Sequence, residues 1–474
     1  MHSIPYKPNP EASNHHPLQL TEQTLPESID TSAWNVLLNK YAHKITRLFL
    51  DRALRGSSIR LLATLLGKSP CSVLCPNLKS LRLVMGQYSE RLYAMAIPIL
   101  CGSSVVSVEM RGLRRSNRRN PVPVAEHLGI ALKTCGSQIR RFTLGSRTSH
   151  NTFTPDFSLF NHLTEVSLRN LSRGGWQKLA EDCPQLLEVS VIETLWKPRR
   201  LESIGDPTKP INFPLLRKLE ISSISLVHGI LLESNMPALE SLIVHRPVED
   251  VNGTITRQLV QRSRLLQEVE WCVKQSHGVG SIIRALASLC HLRKLKITGG
   301  TSEWDMADGD MDILARSVSN LQSISITLKQ TLGYGKDKIP LTHTSLLSFV
   351  QHCRQLTSIE LSLDLSHVDD CREKSASFPS STTVTSLILR EIMLPSKIGD
   401  GDPHGTSEVD VVDRVVTFLA GCCPEARRFE VYELDEFQGV MEALSVTRTC
   451  IEEGFRKYLD DVSHRKSVNN ALHT

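Results

Sequence analysis

The sequence predicts an α/β solenoid, in which short parallel strands alternate with helices along one elongated core. Two observations support this fold class. A strand-like motif recurs fourteen times, and a helical apolar pattern precedes many of its copies. Self-similarity at intervals of a few tens of residues is characteristic of repeat architectures. Because a solenoid offers an extended surface for binding, we expect function to lie in a surface rather than in one pocket.

The recurring motif has apolar residues at its first, fourth and sixth positions. Its clearest copies are residues 78–83, 216–221, 239–244 and 292–297. The first residue of each copy is called its anchor. The anchors are Ile45, Leu78, Val105, Ile139, Leu163, Leu186, Leu216, Leu239, Leu266, Leu292, Leu321, Leu356, Val384 and Ala426. Consecutive anchors lie 23 to 42 residues apart, so about fourteen irregular units are expected.

Helices are predicted before many of the anchors. Apolar residues at i, i+3, i+4 and i+7 place four side chains on one helical face. Clear examples end at Cys183, Cys290, Cys353 and Cys423. Proline, which cannot continue a helix, stands at Pro76, Pro184, Pro237 and Pro424. Each unit is therefore interpreted as strand, loop, helix and short turn, with a parallel concave sheet and helices on the convex side.

The twelve cysteines follow the same repeat. Seven of them stand two to four residues before an anchor: Cys75, Cys101, Cys135, Cys183, Cys290, Cys353 and Cys423. Ligands of one metal ion must converge, whereas these residues belong to seven different units. We therefore expect them to be small buried core residues. No metal or other cofactor is expected.

Composition excludes several classes of function. The chain has 474 residues, a net charge of +5 and only 5% aromatic residues. Neither value indicates a nucleic-acid partner. No apolar run reaches the roughly 18–20 residues of a membrane helix, and the N-terminus lacks the apolar stretch of a secretory signal. The interpretation is a cytoplasmic or nuclear protein without a membrane partner.

No catalytic motif is present, so the chain is not expected to be an enzyme. The acidic run Asp305, Asp308, Asp310 and Asp312 fails the spacing of a calcium-binding EF-hand. It is interpreted as a solvated loop that caps a helix at Asp312. The densest basic cluster is Arg111, Arg114, Arg115, Arg118 and Arg119. A solvated loop is the favoured interpretation, and a nuclear-import signal or phosphate-binding patch is the alternative.

Five segments are predicted along the chain. Residues 1–30 form a disordered leader, and residues 31–44 form a capping helix with one apolar face. The solenoid covers residues 45–434. Residues 435–460 form a second capping helix, because the open ends of a solenoid core must be covered. Residues 461–474 are expected to be a flexible tail.

The Cys-Pro-x-Leu joints at residues 75–78 and 183–186, together with the repeat spacing, resemble the leucine-rich repeat family. The similarity is to the long, cysteine-containing type of ribonuclease-inhibitor-like and fungal F-box-associated horseshoes, and it covers residues 45 to about 432. The family motif places Asn or Cys eight residues after the anchor. Here that position holds residues such as Ala53, Gly86 and Leu113, so less regular turns are expected.

Two segments near the N-terminus are similar to fungal F-box proteins. Residues 34–50 resemble the stretch that follows an F-box, and residues 25–29 resemble its start. Only four residues separate Ile29 from Trp34. A three-helix box does not fit there, so the F-box is expected to be missing, which argues against a Skp-type adaptor as partner.

The resemblance implies a protein-interaction scaffold without catalytic activity. It would be the substrate-recognition arm of an F-box-type (SCF-like) ubiquitin ligase receptor. The alternative is a free-standing binding module or an enzyme regulator with no link to a ligase.

The concave face follows from the alternation of strand residues. If the first, fourth and sixth positions point into the core, the third, fifth and seventh point to that face. In the first five strands these positions carry Arg47, Arg82, Arg111, Arg141 and Arg169 against Asp51, Glu109 and Glu165. Later strands carry Glu188, Glu220, Glu268 and Glu270 against Lys218, and then Lys294 and Lys296.

These residues are the candidate site for protein partners. The hypothesis is that the N-terminal half of the face favours acidic or phosphorylated partners through arginine pairing. The alternative is evenly solvated charge without preference.

Overall fold

A computed structural model describes residues 32, 36, 40–50, 74–84, 97, 100, 102–113, 132, 133, 136–146, 156–168, 171, 173–192, 211–222, 230–248, 250, 253–273, 278–301, 306–330, 341–365, 368, 379–393, 408–432, 449–461 and 464. The chain divides into two compact units, residues 1–169 and 170–474.

The first unit contains five parallel strands that pair in chain order. They are β1 (Arg47–Leu50), β2 (Ser80–Val84), β3 (Ser107–Leu113), β4 (Arg141–Ser146) and β5 (Glu165–Leu168). Each begins two residues after its predicted anchor. The strands are therefore in step, and their first residues stand side by side across the sheet.

The second unit contains nine strands of the same kind and a separate short pair. The nine strands are β6 (Glu188–Val191), β8 (Lys218–Ile221), β10 (Ser241–Val248), β11 (Glu268–Val273), β12 (Lys294–Thr301), β13 (Ser323–Gln330), β14 (Ser358–Asp364), β15 (Ser386–Met393) and β16 (Arg428–Val431). The short pair is β7 (Ile211–Asn212) and β9 (Ser234–Asn235). Each of the nine begins two residues after its anchor, as in the first unit.

Along the chain, helices precede or separate strands of the second unit. They are α1 (Arg173–Asp182), α2 (Thr254–Arg262), α3 (Val279–Leu286), α4 (Asp308–Ser317), α5 (His343–His352) and α6 (Glu408–Cys422). Helices α2 to α5 pack side by side in chain order. Among the described residues, no helix combines the length and the apolar character needed to cross a bilayer. The predicted α/β solenoid with fourteen parallel strands is confirmed.

The anchors form the centre of the core. Every anchor from Leu78 to Ala426 has at most 1% of its surface exposed. Burying one aliphatic side chain of this size stabilises the fold by about 1.5–3 kcal/mol. The repetition of this contribution along the chain explains why the anchor spacing predicts the strands so well.

A second buried position lies three residues before each anchor. It is occupied by Ala42, Cys75, Gly102, Gly136, Phe160, Cys183, Phe213, Met236, Ser263, Leu289, Val318, Cys353, Ser381 and Cys423. In thirteen of the fourteen units its carbonyl oxygen accepts a hydrogen bond from the anchor N–H. The bond closes the tight turn that leads into each strand. Residues as different in size as glycine and phenylalanine occupy this position.

This position accounts for the buried cysteines. Burial raises the pKa of the Cys75 thiol to about 11 and those of Cys183, Cys353 and Cys423 to about 12. These four are core residues, as predicted, and remain protonated near neutral pH.

The prediction was wrong for Cys290, which is exposed. Helix α3 ends at Leu286, and Leu289 takes the buried position, because Cys290 stands only two residues before its anchor. Cys101 and Cys135 lie outside the described residues.

The prediction of a solvated acidic loop before Asp312 was also wrong for Asp308 and Asp310, whereas Asp305 lies outside the described residues. Helix α4 begins at Asp308. The Asp310 carboxylate accepts a hydrogen bond from the Ala307 N–H at 3.0 Å and pairs with Arg284 at 2.5 Å. Asp308 accepts hydrogen bonds from the backbone and hydroxyl of Thr342 at 2.9 and 2.7 Å. Carboxylates in a first helical turn are favourable because they face free backbone N–H groups.

Asp308 connects α4 to α5, since Ser345 also donates a hydrogen bond to it. Burial alone would raise the pKa of Asp308, but the hydrogen bonds from Ser345 and Thr342 outweigh it. They leave the pKa below its usual value of 3.8. A lowered carboxyl pKa contributes stability above the unfolded-state pKa, and this stability is lost as the pH falls through the folded-state value.

We therefore expect Asp308→Asn to lower the free energy of unfolding by about 1–2 kcal/mol at pH 7. The difference from wild type should shrink as the pH falls below the unfolded-state pKa of about 3.8 toward the lower folded-state value. Urea unfolding at pH 7 and at about pH 3 measures both, with the exposed Asp413→Asn as a control that should change little. An equal loss at both pH values would contradict a role for the charged carboxylate.

The ends of the chain are described only in part. Residues 32, 36 and 40 are helical, residues 42–44 form a 3-10 turn, and the rest of segment 1–39 lies outside the described residues. Residues 449–461 are helical. Within this helix, Phe455 stacks on Phe429 of β16 with ring centroids 4.2 Å apart. Glu452 accepts a hydrogen bond from the Val431 N–H at 3.1 Å. Residues 435–448 of the predicted capping helix (435–460) and residues 462, 463 and 465–474 of the predicted tail (461–474) lie outside the described residues.

Candidate interaction surface

Alternate residues of every strand point away from the core and form what we call the open face of each sheet. In the first unit, the third positions of the five motifs carry Arg47, Ser80, Ser107, Arg141 and Glu165, and the fifth positions carry Phe49, Arg82, Glu109, Thr143 and Ser167. The side chains of this face are exposed or half-buried. A rigid sheet therefore presents a regular grid of mainly polar groups.

Carboxylates of the same face pair with most of the predicted arginines of the first unit. Arg141 Nε lies 2.7 Å from Glu165 Oε1 on the next strand. Arg82 Nε lies 3.4 Å from Glu109 Oε2, and Arg111 contacts the same carboxylate. The Arg82 guanidinium also covers the Phe49 ring, 4.9 Å from its centroid. Exposed pairs of this kind contribute only about 0–1 kcal/mol each, so a stronger anion can displace the carboxylates.

A shallow hollow of about 510 Å³ lies where β1 to β4 begin. It is lined by Thr46, Arg47, Lys79, Ser80, Val106, Ser107 and Arg141. Three of these side chains are basic and none is acidic. The sequence pattern had placed Arg47 and Arg141 on this face, but it missed Lys79. That residue stands at the second position of its motif, where the strand has not yet begun.

Oppositely charged neighbours also pair on the open face of the second unit. Lys296 Nζ lies 2.7 Å from Glu270 Oε1, and Lys294 Nζ lies 3.7 Å from Glu268 Oε1. Glu220 contacts His245 at 2.7 Å. Glu188 and Lys218 are neighbours in the strand register. The predicted face residues that the structure describes therefore all lie on open faces. Arg169, Asp51 and Arg114 to Arg119 lie outside the described residues.

A charged cluster at the C-terminal end of the sheet was not predicted. The Arg390 guanidinium contacts Glu360 and covers the Tyr432 ring at 4.2 Å. Glu430 accepts hydrogen bonds from Arg428 at 2.8 Å and from the Tyr432 hydroxyl at 2.6 Å. The bond from Arg428 lowers the pKa of Glu430, and the bond to Glu430 raises the pKa of Tyr432. Extending the count of third, fifth and seventh positions to the last three motifs would have found this cluster.

Charge is unevenly divided between the two units. Residues 1–169 carry 21 Lys and Arg against 10 Asp and Glu, whereas residues 170–474 carry 34 against 40. The mild net charge of the whole chain therefore conceals a strongly basic first unit. A basic unit attracts acidic partners over distances of about 8–10 Å at physiological salt.

The described residues offer little to a metal ion. Within those ranges, no group of three or more His, Cys, Asp or Glu side chains converges closely enough to bind one. What the site provides is a set of fixed hydrogen-bond donors and cations on a sheet, which suits recognition of a surface.

No family model and no curated protein matches the sequence. Similar solved structures include a chain of the Rad7 and Elc1 complex in yeast, at 14% sequence identity and a TM-score of 0.37, covering 86% of this chain and 87% of that one. Another is a leucine-rich-repeat protein of Leptospira interrogans, at 12% identity and a TM-score of 0.38, covering 84% and 86%. At these values neither structure bears on what the present chain binds.

Proposed function

We propose that the chain is a protein-interaction scaffold that binds an acidic or phosphorylated protein on the open face of its first unit. The observation that carries the proposal is the basic hollow. The other charged groups of the same sheet face form only weak, exposed ion pairs. Arginine on a rigid scaffold suits carboxylate and phosphate, because its planar guanidinium forms two parallel hydrogen bonds at once. We further propose that the scaffold acts by binding alone.

Charge reversal tests this function. We expect the triple variant Arg47→Glu, Arg82→Glu and Arg141→Glu to lose bound partners by roughly 10-fold or more, since attraction is replaced by repulsion. The matched control is Lys218→Glu, Lys294→Glu and Lys296→Glu, which makes the same charge change on the open face of the second unit. Quantitative mass spectrometry after affinity purification of each intact chain measures recovery. Retention of the same partners by the first variant, or equal loss with the control, would overturn the proposal.

The finer assignment is to the substrate-recognition arm of an SCF-like ubiquitin ligase receptor in the cytoplasm or nucleus. It is supported by the sequence resemblance of residues 25–29 and 34–50 to fungal F-box proteins. The alternative is a free-standing binding module or enzyme regulator. Co-purification with a Skp-type adaptor and a cullin separates the two: recovery of both supports the ligase assignment. Their absence from an otherwise complete set of partners would favour the free-standing module.

A further inference from the structure

We propose that the hollow at the start of β1 to β4 is a phosphate-recognition site that takes a phosphorylated serine or threonine of a partner protein. This inference rests on the proposed function and names the chemical group that the scaffold reads. The opposing carboxylate of Glu165 acts as an internal competitor that holds Arg141 until a phosphate replaces it.

The strand register brings the required groups together. Arg47, Ser80, Ser107 and Arg141 are consecutive partners across four strands. Neighbouring strands are about 4.8 Å apart, so the two arginine Cα atoms are separated by roughly 14 Å. Two short serines thus lie between two long, flexible arginines. From these positions both guanidinium groups can close over an anion that rests above the serine hydroxyls.

The chemistry of the lining matches a phosphate monoester. Such a group carries about −1.5 to −2 charges at neutral pH and three strong acceptor oxygens. The two arginines supply bidentate donors, Lys79 supplies a further positive charge, and Ser80 and Ser107 supply O–H donors. Within the described part of the chain, Arg47 and Lys79 have no carboxylate partner.

The surroundings favour a phosphorylated peptide over a longer polyanion. Glu109 and Glu165 interrupt the basic groups on the same face, so the positive charge does not form the continuous track that a run of phosphates would need. A single phosphate needs only the hollow itself. At about 510 Å³ the hollow is also larger than one phosphate group needs, and it opens onto the face where flanking residues of a peptide can lie.

Glu165 sets the threshold for binding. Its ion pair with Arg141 is solvent-exposed, with 65% of the arginine side chain and 34% of the glutamate side chain accessible. Such a pair is weak enough for a dianion to displace. Removing the competitor should therefore strengthen binding, whereas a residue that is only structural would weaken it or have no effect.

Two peptide pools with degenerate flanks around a fixed phosphoserine or a fixed serine test the proposal by fluorescence polarisation with the full chain. We expect the phosphoserine pool to bind at least about 10-fold more tightly. Arg47→Ala combined with Arg141→Ala should remove that difference. Glu165→Gln should raise the affinity roughly two- to fivefold. The control Lys133→Ala, at an exposed helical position of the same unit that does not line the hollow, should change little.

Three results would overturn the proposal. They are equal binding of the two pools, a Lys133→Ala loss as large as that of the double variant, and loss of affinity in Glu165→Gln. Inositol hexakisphosphate serves as a further probe. If it binds and the phosphoserine pool cannot displace it, the assignment of the hollow to a peptide would also be overturned.

The inference and the proposed function can fail separately. Charge reversal could remove the partners while phosphatase treatment leaves them bound. That result would support the proposed scaffold function and contradict the proposed phosphate site.

Discussion

Trp176→Ala is expected to lower the free energy of unfolding by about 3–5 kcal/mol, the range for removal of a large buried aromatic side chain. Trp176 lies on α1 with 1% of its surface exposed. Its ring packs on Phe213 with centroids 4.6 Å apart, and its indole N–H donates to the Ser234 hydroxyl at 2.9 Å. It thus joins α1 to the segments that contain the β7–β9 pair, and its loss leaves a cavity among them.

Urea denaturation of the full chain measures this effect, and two further variants separate packing from hydrogen bonding. Trp176→Phe keeps a buried ring and should cost less than Trp176→Ala. Ser234→Ala leaves the buried indole N–H without its acceptor and should cost about 1–3 kcal/mol. In the Trp176→Ala background that serine has no indole partner, so its replacement should cost clearly less. A total loss below about 1 kcal/mol for Trp176→Ala would contradict the packing described for this region.

Gly299→Ala is expected to destabilise the second unit by about 2–3 kcal/mol, the upper part of the range for overpacking a tight site. Gly299 lies on β12 beside Val273 of β11. A Cβ atom at this position would lie 2.2 Å from the Val273 carbonyl oxygen. The obstacle is backbone rather than a flexible side chain, so the two strands would have to move apart.

Gly309→Ala is the matched control, because the same substitution should there raise the free energy of unfolding instead of lowering it. Gly309 lies on the exposed side of α4, and a Cβ atom there would meet nothing within 4 Å. Alanine is the better helix former, by no more than about 1 kcal/mol. Thermal and urea unfolding of both variants make the comparison. Equal effects of the two substitutions would contradict the close approach of β11 and β12.

The strands were predictable because one local rule governs all of them. A buried anchor, a tight turn three residues earlier and period-two alternation fix where each strand begins, independently of distant residues. The ion pairs of the open face follow from the same rule. Arg141 and Glu165 both stand at the third position of neighbouring motifs, so strands that begin in step must place them side by side.

Features that depend on distant partners were not predictable in this way. Asp308 looked like part of a solvated loop because its partners are distant in sequence: Thr342 caps the next helix and Ser345 lies in its first turn. Cys290 was assigned to the core because the apolar pattern of α3 continues past Leu286, where the helix ends. The β7–β9 pair has two-residue strands, too short to leave a periodic pattern. Lys79 lines the hollow beside residues of the neighbouring strands, although its own position in the motif lies before the strand begins.

Site-specific photocrosslinking tests most directly whether the open face of the first unit holds the partner. A photoreactive residue placed at Thr143, in the middle of that face, is predicted to crosslink to the bound protein. The same residue at Lys133, an exposed helical position of the same unit, is predicted not to crosslink. Crosslinks from Lys133 without crosslinks from Thr143 would place the partner away from the open face and contradict the proposed mode of binding.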